Sequence, residues 1–220
     1  ATAEVLNLAS TLEEQLKALP PETIALIARE RGDEVRGAYI FHTSAAGCIK
    51  CHQGNNGQRG IGPNLAEVKI PNDKYLVESL THPSRAISKG FETQQFLMSD
   101  GTTYTGNVIT ENEDSISILP SSTPQQTIVL RKEEIDMSKR LKSSAMPEGL
   151  LSTFSEQRDF MDLIKYLMAI TEGGEKKALL LKPDTNILAA ANDTEDLDHR
   201  GIIQKFRSRD FDTGKGIFQG

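Results

Sequence analysis

The chain has 220 residues, enough for one large domain or two small ones, and 37% of them are hydrophobic and 5% aromatic, with no Trp. Its formal charge of -6 and pI near 5.3 argue against a nucleic-acid partner. No stretch approaches the ~18 consecutive apolar residues that a membrane-spanning helix requires.

Residues 1–30 read as an amphipathic helical lead-in. Ser10 or Thr11 can cap a segment carrying Leu12, Leu16 and Leu19, and Pro20-Pro21 ends it. A second short helix follows, with Pro21 in its first turn and Ile24, Ala25, Ile27 and Ala28 as its apolar set. Asp33 then caps a helix over Glu34–His42, in which Gly37 and Phe41 share one face. A glycine inside a helix costs roughly 1 kcal/mol against Ala, a cost usually offset by close approach of another helix.

The next stretch is Cys48-Ile49-Lys50-Cys51-His52. Cysteines three apart on one helical turn face the same side, so both thiols can reach the two vinyl groups of one porphyrin, with His52 beneath the ring. C-x-x-C-H therefore reads as a covalent c-type haem attachment site. A redox C-x-x-C, half of a zinc site and a disulfide are the alternatives. Two cysteines in the chain exclude a four-thiolate zinc site, and no βαβ pattern surrounds the motif as a thioredoxin-like site would require. A buried haem would also supply apolar surface that this composition lacks. Because such haems are attached outside the cytoplasm, the reading implies an exported, periplasmic or equivalent location, with a signal removed or upstream.

Behind the motif, Gln53–Leu65 carries four glycines within residues 54–62, a loop able to run close to a flat cofactor. Residues 73–81 form a short helix with Asp73 as cap, ended at His82-Pro83. From about residue 90 the texture changes. Phe91–Met98, Thr102–Thr110, Ser115–Leu119 and Gln126–Leu130 read as four strands, with Asp100-Gly101 as a hairpin turn. Such alternation by itself marks a packed face and no chemistry. Helix returns with Thr153-Phe154-Ser155-Glu156 as a capping box, an apolar stripe from Phe160 to Ile170, and Gly173-Gly174 as its stop. From Glu175 the chain reads as polar and irregular. Near its end, Arg209–Phe218 echoes Arg31–Phe41, a chance likeness or the start of a second, truncated unit of the same kind.

This order of features resembles a class I cytochrome c with an insertion. More closely, residues 31–172 resemble the haem-binding cytochrome c domain of planctomycete proteins. The likeness rests on Gly32-Asp33 to His52, Ile61–Leu65, Pro83–Thr93, Asp100-Gly101, Ser144–Leu150 and Asp162–Leu167. It implies a mainly α, cytochrome c fold with a small inserted antiparallel sheet, α+β taken together. The split domain would comprise 31–89 and 137–174, the insert 90–136, and a linker 175–220. It also implies one covalent haem c, thioether bonds to Cys48 and Cys51, His52 as proximal ligand, the Pro63 carbonyl behind His52, and Met146 as distal ligand. Gly37 and Phe41 would pack against the final helix near Tyr166. Redox donor and acceptor proteins, and a fused dehydrogenase domain, are the implied partners.

The sixth iron ligand decides the chemistry, since His/Met ligation fills the site and raises the potential. Met98, Met137, Met146, Met161, Met168, His42, His82 and His199 are the candidates. Met146 is favoured because Pro147 holds it extended in a loop before a helix, with His82 next. The sequence thus predicts an electron-transfer domain with no catalytic constellation of its own. A haem enzyme with an open sixth site, and an interaction module whose sheet docks a catalytic partner, are the two rival readings.

Overall fold

A computed structural model describes residues 11–52, 60–123, 126–154 and 156–184. Gln53–Arg59, Ser10, Ser155, His199 and the Arg209–Phe218 echo lie outside the described residues. The first described helix, α1 (Leu12–Ala18), starts in a capping box. Thr11 Oγ1 accepts the Glu14 N–H, and the Glu14 carboxylate accepts the Thr11 N–H. Helix α2 (Pro21–Arg31) has proline at its first position, where no N–H is needed. Asp33 caps α3 (Glu34–Thr43) by accepting the N–H groups of Val35 and Arg36. A single turn, α4 (Cys48–Cys51), carries the two cysteines, and α5 (Asp73–Thr81) follows. The cap of α5 is Asn72, not Asp73: Asn72 Oδ1 accepts the Tyr75 N–H at 2.9 Å.

Helix α6 (Gln157–Leu180) differs from expectation at both ends. Thr153 belongs to a 3-10 turn over Leu150–Thr153, and Glu156 occupies the cap position. Gly174 does break the helix, with φ 65° and ψ -161°, but a second helical leg runs on to Leu180. That leg is held by Lys177 on Glu34 at 2.8 Å and by Leu181, which is buried in the core. Tertiary anchorage restores helix where the local glycine pair argued against it.

Helices α3 and α6 cross closely because Gly37 has no side chain. A Cβ there would lie 2.7 Å from Tyr166 Cβ and closer still to the Asp162 carbonyl. The approach stacks Phe41 on Tyr166 with ring centroids 5.3 Å apart. Around this pair, Leu16, Ile24, Ala28, Leu76, Val77, Leu151, Phe160 and Ile164 form one helical core.

The second part is an antiparallel sheet of five strands, not four: β1 (Thr93–Met98), β2 (Thr103–Glu111), β3 (Ser115–Pro120), β4 (Ile128–Arg131) and β5 (Ile135–Arg140). Their order is β4-β3-β2-β1-β5. Strand β5 escaped the sequence pattern because it is nearly all exposed and does not alternate; it exists by pairing with β1, Leu97 opposite Met137. Residues 137–140 therefore belong to the sheet. A small core of Phe96, Met98, Ile118 and Leu130 fills one face. The described residues are 44% helix and 19% strand, so the expectation of a mainly α chain is corrected to α+β. A sheet with its own core is too large a share of the molecule to count as decoration on a helical domain.

Candidate functional site

The turn α4 is entered through Gly47 in the left-handed region (φ 64°) and closed by His52, whose N–H donates to the Cys48 carbonyl at 3.0 Å. This geometry turns Cys48, Cys51 and His52 towards one cleft between α3, α5, the 61–65 loop and the 144–150 loop. Phe41, Leu65, Val68, Leu76, Phe91 and Leu167 give it apolar walls. Its space, open mouth included, is about 1150 Å³.

His52 is oriented from behind. Its Nδ1 lies 3.0 Å from the Pro63 carbonyl oxygen. A carbonyl only accepts, so Nδ1 carries the proton and Nε2 keeps its lone pair. Burial pushes the His52 pKa down, against the opposing pull of Pro63, so the ring is held neutral. Gly62 makes the approach feasible: a Cβ there would stand 2.8 Å from His52 Cε1 and 2.9 Å from Nδ1. The Gly62 N–H also donates to the Cys51 carbonyl at 3.2 Å, tying the loop to the motif.

The thiols are free, half-buried and hard to ionise. Burial lifts Cys48 to about 11 and raises Cys51 as well, Lys50 opposing in the latter. Redox-active C-x-x-C pairs need the opposite shift, because the thiolate is the nucleophile. Among the described residues no group of three or more His, Cys, Asp or Glu side chains could hold a metal ion.

Met146 is half-buried and lines the same cleft as His52. Its loop is pinned twice: Ser144 Oγ accepts the Met146 N–H at 3.1 Å, and Ser84 Oγ accepts the Ser144 N–H at 3.2 Å. The other candidates lie elsewhere. His82 is not part of the cleft wall; its Nδ1 is 3.0 Å from Thr81 Oγ1. Met98 is in the sheet core, and Met161 and Met168 are in the helical core. Met137 is 63% exposed on β5. His42 Nδ1 donates to the Ala38 carbonyl, 2.8 Å away, and its ring lies beside Phe41 and Tyr166. Among the described residues, Met146 alone of these candidates faces the cleft.

Two clusters were not legible in the sequence. Arg36, buried in α3, pairs with Asp162 and Asp159 of α6, and Asp162 Oδ1 also accepts the Asp33 N–H at 2.8 Å. The pair keeps the Arg36 guanidinium charged even though burial opposes it. On β2, Asn107 is 2% exposed and donates to the Ile61 carbonyl at 2.8 Å. The one hint available along the chain is an Asn amid Thr, Val and Ile, which strands disfavour, but its partner Ile61 is not visible there.

No described helix is long and apolar enough to cross a membrane. No protein-family model matches the chain, and a search of curated proteins finds no match.

Proposed function

We propose that the chain is an exported electron-transfer domain carrying one covalently attached haem c. What supports this most is a single juxtaposition: two cysteines, a histidine whose Nε2 keeps its lone pair and a methionine line one apolar cleft. When bound there, a haem supplies one-electron chemistry at its iron. The residues fit it. Cys48 and Cys51 would hold the haem through thioethers, and His52, through Nε2, and Met146 would be its iron ligands.

The chain's own contribution is orientation and an apolar surround. Pro63 holds the Nδ1 proton of His52, which fixes the ring and raises its basicity as a ligand. Leu65, Leu76 and Leu167 give the cleft apolar walls, and a surround of this kind tunes a haem's potential. Redox donor and acceptor proteins are the proposed partners, a fused dehydrogenase among them.

The test is production with c-type haem-attachment machinery, followed by oxidised and reduced optical spectra beside Met146→Ala. A low-spin spectrum with the weak long-wavelength iron–sulfur band, lost in the variant, supports His52/Met146 ligation. A high-spin spectrum unchanged by the substitution removes Met146 from the iron and favours a ligand-binding site. A chain that never acquires haem through Cys48 and Cys51 ends the proposal.

A further inference from the structure

We infer that Asn107 is a positioning residue for His52, and that the sheet thereby orients the imidazole from outside the cleft. The inference rests on the axial role proposed for His52 only where it reaches the haem. The hydrogen-bond relay itself is a property of the chain.

The relay has three links. Asn107 Nδ2 donates to the Ile61 carbonyl at 2.8 Å and approaches the Phe91 carbonyl at 3.4 Å. Ile61 is followed by Gly62, which abuts the His52 ring, and then by Pro63, whose carbonyl accepts the Nδ1 proton. Thr93 Oγ1, opposite Asn107 across the β1–β2 pair, lies 3.5 Å from Asn107 Oδ1 and holds the amide in its donating orientation. Asn107, Thr93 and Ile61 are all buried, with exposures of 2%, 3% and 5%.

Burial on this face of the sheet is confined to one end. Thr93, Asn107 and their cross-strand neighbour Leu119 are covered, whereas Leu97 and Met137 farther along are exposed. The covered end is the one that meets the loop behind His52. A buried amide with its donor aimed at a loop carbonyl is costly unless that bond is kept, so the contact fixes the loop rather than merely touching it. Without it, Ile61-Gly62-Pro63 is held by the Gly62–Cys51 backbone bond and by packing, and the Pro63 carbonyl loses its fixed distance to Nδ1.

The test uses the full chain and two substitutions, Asn107→Val and Asn107→Leu. Both preserve approximate size and remove the amide donor. Ile118→Val serves as the comparison, since it weakens the sheet core without touching the loop. In the haem-loaded chain the midpoint potential should rise in both Asn107 variants, because a looser Pro63 contact makes His52 a less basic ligand. It should not move in Ile118→Val. In the haem-free chain, the side-chain 15N shifts of His52 should move from the Nδ1–H tautomer towards a mixture only in the Asn107 variants. If either Asn107 variant does not fold, Thr93→Val, which removes only the group orienting the amide, should give a smaller shift in the same direction. An unchanged potential with an unchanged His52 tautomer overturns the inference, as does an equal shift in Ile118→Val. Failure to attach haem would defeat the proposed function, and the tautomer measurement would still decide the relay.

Discussion

Gly37 of α3 sits against the backbone of Asp162 in α6, so close that a Cβ would lie 2.6 Å from the Asp162 carbonyl carbon. Ala is the better helix former by roughly 1 kcal/mol, so propensity alone makes Gly37→Ala stabilising. Here the obstacle is backbone, which cannot rotate away. The overpacking cost of about 1–3 kcal/mol should win, and the variant should unfold at lower urea than the parent chain. A higher midpoint would show that α3 and α6 can separate freely.

Arg36 and Asp162 test the buried pair. Arg36→Met takes its near charge partner from the Asp162 carboxylate, 1% exposed, leaving Arg158 at a longer 3.7 Å, and should cost about 3 kcal/mol, the lower end expected for a broken buried pair. Arg36→Met with Asp162→Leu should recover most of that. The remainder reflects the Asp33 N–H that Asp162 also satisfies, on the order of 1–3 kcal/mol if left unpaired. A double-mutant cycle from urea unfolding measures the coupling, and additive losses would mean that the two side chains do not act as a pair.

His42 sets a pH dependence. Burial lowers its pKa, with Lys182 adding to the effect and the Ala38 carbonyl opposing it. The folded chain therefore binds this proton less readily than the unfolded chain. Stability from this group is complete above the unfolded value of about 6.5 and is lost as pH falls from there through the lowered folded value. Urea midpoints between pH 8 and 5 should fall more steeply for the parent than for His42→Gln. Parallel curves would show that His42 carries none of the slope. In the chain without haem, the lowered His52 adds to the loss in the same direction.

Gly62→Ala probes the back of His52. The added methyl would stand 2.8 Å from His52 Cε1 and 3.2 Å from the Cys51 carbonyl oxygen. The ring is the part that moves, so the Nδ1–Pro63 hydrogen bond should lengthen and the chain should lose about 1–3 kcal/mol. Production with haem-attachment machinery should yield less haem-loaded chain, measured as haem absorbance per protein. Full loading with an unchanged spectrum would show that the ring tolerates displacement.

Local chemistry was legible wherever the residues that make a feature are near neighbours. Asp33 caps α3, Pro21 starts α2, and Asp100-Gly101 turns the first hairpin, with Gly101 at φ 85° and Asp100 Oδ1 accepting the Thr102 N–H at 2.8 Å. The contact between Pro63 and His52, expected from a family resemblance, is present as a 3.0 Å hydrogen bond. Asn72 displaced Asp73 as the cap of α5 because either side chain can do the task and only the backbone angles choose.

The sequence by itself determined that the side chains of Cys48, Cys51 and His52 can face together, because the C-x-x-C-H spacing spans one helical turn. Tertiary structure alone decided the rest. It separated Met146 from Met137 and His82, since reaching a cleft depends on which loops converge there. It made β5 a strand through pairing with β1, and carried α6 past Gly174 through contacts with Glu34 and the core. It also brought Asn107 of the sheet to Ile61, a bond across 46 positions of chain that no local pattern encodes. Such pairings form only when the whole chain has exchanged conformational entropy for burial, so their partners become neighbours only in the folded molecule.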